Sequence, residues 1–320
     1  MRTTYLCMES LFLYWFSRLL YIRCDMRRIN ASNVCSLAMF AVLLGITLLA
    51  CSQQKEPGYR TSNYDFGKPQ QVIQLDGRLA EISGITFSDD NYNLLLAQED
   101  ETGTLYTITR DGDEVRPYEF GADADYEDIA RVGDEVFILR SDGNIVRFNR
   151  SGIESGNLTS VKATKKLLPK GEYEGLAYSA LTQKLYILCK SCAVDNKKET
   201  LTIYSLDASN DKLDVDDTLT VDLKKLYALV GKKRTWRPAA LAQHPVTKDW
   251  YILSSVNMGI VITDSEFKVK SAVALDGKLY KQPEGMAFDA EANLWISNEA
   301  GTKAGTATIL KINYIEGDAN

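Results

Sequence analysis

Tyr173-Glu174-Gly175-Leu176-Ala177-Tyr178, followed after a polar turn by Lys184-Leu185-Tyr186-Ile187-Leu188, is the stretch whose reading decides the fold. It reads as a carboxylate on a short strand, a turn, and a second, more apolar strand. Variants return at Ile82-Ser83-Gly84-Ile85, Tyr126-Glu127-Asp128-Ile129-Ala130, Pro238-Ala239-Ala240-Leu241-Ala242 and Pro283-Glu284-Gly285-Met286-Ala287. Aligned on Glu174, the equivalents are Ser83, Glu127, Ala239 and Glu284, at steps of 44, 47, 65 and 45 residues. Steps of this size are those of a four-stranded propeller blade.

The flanking sequence agrees. From Gln70 onward, apolar and polar residues alternate in short runs such as Leu94-Leu95-Leu96-Ala97 and Val136-Phe137-Ile138-Leu139, and Asp111-Gly112 and Asp142-Gly143 are hairpin dipeptides. Helical periodicity is confined to Leu223–Val230, within extra residues around 214–235 that lengthen the third step. The chain is therefore all-β. The last unit ends one strand short, while Gln71-Val72-Ile73-Gln74-Leu75 precedes the first motif without a unit of its own. That segment is expected to supply the missing outer strand and remove an open sheet edge. Five blades result, with six as the alternative if the long step hides a degenerate blade.

The first fifty residues stand apart. Arg27-Arg28 precede an uncharged, mostly apolar run from Val34 to Ala50, which Cys51 follows. A basic segment, an apolar run and small residues before a cleavage point read as a secretory signal. With Cys51 next, residues 1–50 resemble a bacterial lipoprotein signal in which Cys51 is acylated; an uncleaved membrane anchor is the alternative. Met26 would make an ordinary start, so residues 1–25 are expected to be a mis-assigned extension. Residues 51–69 then form a lipidated tether and 70–320 the propeller domain. The chain would lie in the cell envelope, outside the cytoplasm, with the membrane as a partner through Cys51. No Asp follows in Ser52-Gln53-Gln54, so the outer membrane is favoured over the inner.

The net charge is −6, and the signal would remove five Arg but only two acids, leaving the exported part more acidic still. No Lys/Arg-rich face emerges from the pattern, which argues against nucleic acid as a partner. Processing would leave Cys189 and Cys192 as the remaining unmodified cysteines. A local disulfide is the favoured reading in an oxidising compartment; a redox pair or a metal site are the alternatives, without the surrounding βαβ pattern or extra ligands each would need.

In a propeller the motif strand is innermost, so Glu127, Glu174 and Glu284 should converge near one mouth of the axis. Converging carboxylates must take up protons or hold a cation. Oxygen donors without Cys or His suit calcium, with Glu81 as a fourth carboxylate. Ala239 breaks the pattern and leaves room for water or a ligand. A neighbouring rim of Asp100, Arg140, Asp142, Lys190, Asn257 and Asn298 could hold a polar small molecule or a protein partner, or simply be solvated loops. His244, the single His, is better read as a turn residue than as a general base. Asp207-x-Ser209-x-Asp211 lacks the Gly and Glu of a calcium loop and reads as a hairpin.

The ordered set of motifs, Ile-Ser-Gly, Tyr-Glu-Asp-Ile, Tyr-Glu-Gly-Leu-Ala, Arg-Pro-Ala-Ala-Leu-Ala and Pro-Glu-Gly-Met-Ala, resembles the SdiA-regulated proteins over about residues 70–315. These are exported bacterial propellers distantly similar to NHL-repeat propellers. The resemblance implies five blades, a bound calcium ion and a suggested hydrolase activity. Two function classes follow: a tethered calcium-binding propeller that engages a ligand, and a calcium-dependent hydrolase of phosphoester, lactone or ester substrates.

Overall fold

The computed structural model describes residues 58–316 except 159, 196–198, 209–211, 231–234 and 303–304. The apolar run ending at Ala50, Cys51, and the Ser209 and Asp211 of the hairpin lie outside the described residues. Among the described residues no helix is long and apolar enough to cross a membrane.

Among the described residues, twenty strands form five four-stranded antiparallel sheets. The first blade is β2 (Ile82–Phe87), β3 (Leu94–Glu99), β4 (Thr104–Thr109) and β5 (Val115–Glu119). The second is β6 (Tyr126–Val132), β7 (Glu135–Arg140), β8 (Ile145–Asn149) and β9 (Lys162–Thr164). The third is β10 (Gly171–Ser179), β11 (Lys184–Cys192), β12 (Thr200–Asp207) and β13 (Asp214–Asp222). The fourth is β14 (Ala240–Gln243), β15 (Trp250–Ser254), β16 (Gly259–Thr263) and β17 (Val269–Ala274). The fifth joins β18 (Pro283–Phe288), β19 (Leu294–Asn298) and β20 (Thr308–Ile312) to β1 (Gln71–Gln74), in the order β1-β20-β19-β18. The β1–β20 register runs from Gln71 opposite Lys311 to Gln74 opposite Thr308, so the N-terminal strand closes the ring.

The ring has five blades, which excludes six. The long third step reflects long strands and α2 (Leu223–Val230), a helix that buries Leu223 and Leu226; a one-turn helix, α1 (Ser151–Glu154), lies in the second unit. Residues 214–222, expected in an insertion, are instead the outer strand of the third blade. Their alternation is weak because most of β13 is exposed at consecutive positions, on both faces of this outer strand.

Motif strands β2, β6, β10, β14 and β18 touch one another in ring order. They approach so closely that a Cβ on Gly84 would stand 2.4 Å from Oδ1 of Asp128 and 2.6 Å from its Cα. Only glycine allows that crossing. Asp128 is itself fully buried: Oδ2 accepts from the Leu176 amide on β10 at 2.7 Å and Oδ1 from the Ile129 amide at 2.8 Å. In the hairpin turns, Gly112 and Gly143 take positive φ as their Asp-Gly dipeptides require.

The apolar residues that alternate along the strands meet between blades. One such cluster begins earlier than the expected boundary at residue 70: Tyr64 and Phe66 are fully buried among Tyr251, Tyr280 and Leu294. Tyr64 Oη donates to the Ala292 carbonyl at 2.6 Å, and Tyr280 Oη donates to the Phe66 carbonyl at 3.0 Å. The final part of the supposed tether is thus propeller core, bound by the alternating Tyr-x-Phe that a reading by polarity passes over.

Candidate functional site: the acidic mouth of the axis

Four inner strands share a local irregularity. In β6 the pairing steps from Tyr126–Arg140 to Asp128–Leu139, leaving Glu127 as an extra residue. In β10 it steps from Tyr173–Cys189 to Gly175–Leu188, leaving out Glu174; in β18, from Pro283–Asn298 to Gly285–Ser297, leaving out Glu284. In β2 two residues, Ser83 and Gly84, face the single Gln98. Such bulges re-aim a side chain and release it from the ladder. The inner strand pair of the fourth blade, β14–β15, has no bulge, and Ala239 occupies the equivalent position. The aligned motif positions are therefore backbone features as well as sequence ones.

These residues surround a cavity of about 400 Å³ at the end where the inner strands start. Its lining is layered by blade. Ser83, Glu127, Glu174 and Glu284 form one level; two residues earlier on the same strand approaches, Asp125, Glu172, Gln282 and Arg237 form another; and at or just past the end of the second strand of four blades, Asp100, Ser141, Lys190 and Glu299 form a third. Among the described lining residues, seven carboxylates face two cations, Lys190 and Arg237.

The charges do not all balance. The Lys190 ammonium bonds Oε1 of Glu174, and Glu174 in turn shares a hydrogen bond with Glu127. Burial, and then the charge of Glu174, push the Glu127 carboxyl well above the usual range. It therefore holds the proton and donates. Across the mouth, burial and the Glu174 charge raise Glu284 to about 7, against hydrogen bonds from Ser255 and Gln282. Burial followed by the charges of Glu81 and Glu99 raises Asp100 to about 6. Glu299 is pushed up by burial and by Glu284, Glu81 and Asp100. Carboxyls crowded in this way are short of positive charge.

Among the described residues, Glu81, Asp100 and Glu299 bring a carboxylate oxygen each within 4.8 Å of one another, between the fifth and first blades. Asp100 Oδ1 is buried without a hydrogen-bond partner. Three hard oxygen donors, one unsatisfied, fit a calcium ion by donor chemistry. Glu127, Glu174 and Glu284 line the cavity with Asp100 and Glu299 but do not form so tight a trio; Glu174 is taken by Lys190, a pairing that the motif spacing does not reveal.

Of the rim residues, Asp100 and Lys190 reach the cavity. Arg140 pairs with Asp142 at 3.0 Å on the hairpin turn; Asn257 Oδ1 accepts from the Arg237 amide at 3.0 Å; Asn298 is fully buried. Asp125, Glu172 and Gln282 were missed by sequence reasoning, although each stands two residues before a motif glutamate, the strand period that shares a face. Cys189 and Cys192 are joined at the end of β11 with a Cα–Cα distance of 6.0 Å.

His244 belongs to the other end of the axis, beside a cavity of about 240 Å³ where the inner strands finish. It is buried against Tyr251 and Phe288, and Nδ1 accepts from the amides of Val246 and Thr247 at 3.1 Å each. Burial lowers it to about 4, so it stays neutral as a turn and core residue.

A family model described as SdiA-regulated matches residues 60–301. No curated protein matches the sequence. Among solved structures, glutaminyl cyclase of Myxococcus xanthus superposes with a TM-score of 0.53 at 12% identity, covering 78% of this chain and 97% of its own. The PQQ-bound aldose sugar dehydrogenase of Streptomyces coelicolor superposes at 0.50 and 14% identity, covering 78% and 98%. At these identities the likeness is one of fold.

Proposed function

This chain belongs to the SdiA-regulated family, and from that premise we propose that it is an envelope-tethered propeller that binds calcium at the acidic mouth of its axis and engages a polar ligand there. The carrying observation is the trio Glu81, Asp100 and Glu299, with Asp100 Oδ1 unpartnered in a cavity where seven carboxylates face two cations. These three residues would hold the ion, and Glu284 is the nearest reserve of charge by its electrostatic link to Glu299. Calcium would neutralise the crowding and offer open positions to a ligand.

The lipid on Cys51 and the outer-membrane location belong to the same proposal and rest on the signal-like sequence. Binding is favoured over hydrolysis because the single His lies at the opposite end of the axis. Calorimetry on chelated protein tests the calcium reading: wild type should bind one calcium, and the double variant Asp100→Asn/Glu299→Gln should lose at least about tenfold in affinity. No heat and no rise in melting temperature in the wild type would refute it.

A further inference from the structure

The fourth blade is the exception in the first two layers of the mouth. Where other blades present a bulged Ser or Glu it has Ala239, and where they present Glu81, Asp125, Glu172 and Gln282 it has Arg237. Arg237 is exposed, and among the described residues its guanidinium has no ion pair or hydrogen bond despite the acids nearby. Glu174, which lines the same cavity, is engaged by Lys190 and Glu127.

The backbone of Arg237 is fixed on both sides. Its amide donates to Asn257 Oδ1 at 3.0 Å and its carbonyl accepts from the Ser254 hydroxyl. A held backbone with an uncommitted guanidinium is pre-organised for a ligand. Arg237 and Lys190 also line a second cavity of about 90 Å³ between the third and fourth blades, next to the first. Trp236 lines it too; the side chain is nearly buried, and its indole N–H has no acceptor among the described residues. Asp195, the one carboxylate among the described lining residues, already accepts from the Thr202 hydroxyl at 2.6 Å. The space suits a single compact group, a few water molecules in volume.

We propose that the third-to-fourth-blade side of the mouth is an anion subsite, in which Arg237 receives the carboxylate or phosphate group of a small ligand and the cavity beside Trp236 takes the adjoining atoms. This deepens the proposed ligand site: carboxylates on the first- and fifth-blade side attract a cation, while the guanidinium opposite attracts an anion. Arg is suited to either group because its planar fork donates two parallel hydrogen bonds.

Calorimetric titration of calcium-loaded protein with inorganic phosphate and, separately, succinate tests the subsite, and a preference for one identifies the group. At least one should bind saturably, and Arg237→Gln should weaken it about tenfold or more while leaving calcium affinity, measured without anion, within about twofold. The anion-induced change in tryptophan fluorescence should vanish in Trp236→Phe. Equal affinities for wild type and Arg237→Gln, or saturable binding of neither anion, would overturn the subsite. Arg237-dependent anion binding in a protein that takes no calcium would keep the subsite and remove the calcium reading; calcium binding with no anion binding would do the reverse.

Discussion

Glu127 and Glu174, one blade apart in the ring, share a proton at the axis: the Glu127 carboxyl donates to the Glu174 carboxylate, which also accepts from Lys190. The two glutamates have the same motif position yet opposite roles. Glu174→Gln should leave the Lys190 ammonium without its charged partner and cost about 1.5–3 kcal/mol. Glu127→Gln keeps a donor in the same place and should cost under about 0.5 kcal/mol. Urea unfolding of the two variants checks the asymmetry, and equal losses would contradict it.

The pH response follows from Glu284, raised to about 7 by burial and by Glu174. An acid whose folded value is raised keeps its proton longer in the native state. Its contribution to stability is complete below the unfolded value, about 4.3, and is lost as pH rises through about 7. His244, lowered to about 4, acts oppositely, but only below the unfolded value of about 6.5. From about pH 6.5 to about pH 8, chelated protein should therefore lose melting temperature, with the raised Glu127 and Glu299 acting in the same direction, and Glu284→Gln should lessen that fall. Excess calcium should raise the melting temperature more at the upper end, where protons compete least. Scanning calorimetry across that range reads both effects.

The narrow crossing of β2 and β6 makes a steric prediction. Gly84→Ala would push a methyl into the Asp128 backbone, 2.6 Å from its Cα, and should cost about 1–3 kcal/mol. Gly175→Ala meets the Cβ atoms of Leu188 and Leu241 and the Leu241 backbone nitrogen at 3.1 Å, a smaller overlap than at Gly84, and should cost less. Thermal melts of both variants rank them; the reverse order would mean that the inner strands are not held at this spacing.

The start of the domain is tested by Tyr64→Ala. Removing a fully buried ring and its bond to the Ala292 carbonyl should cost about 3–5 kcal/mol. A flexible tether would show no change.

Much of this fold is legible in the chain because a propeller repeats one pattern. The Glu-Gly-Leu-Ala motif marks each inner strand, and Gln71–Gln74 is recognisable as the closing strand because the fifth unit lacks one. The mouth is legible only in its first layer. Glu299 and Asp100 sit past the ends of second strands, and their approach to Glu81 depends on neighbouring blades that are distant or first and last in sequence. The Lys190–Glu174 pair is hidden for a related reason: it needs the pairing of β10 with β11, including the bulge at Glu174. Arg237 is readable in retrospect as the residue two before Ala239, once the second layer is aligned.

The central claim is that the Glu81, Asp100 and Glu299 oxygens hold a hard cation. Anomalous diffraction from crystals soaked in terbium, a calcium substitute, tests it most directly. One strong peak bonded to those three carboxylates is expected, absent from Asp100→Asn/Glu299→Gln crystals. A peak held instead by Glu127 and Glu174, or no ordered peak at the mouth, would contradict it.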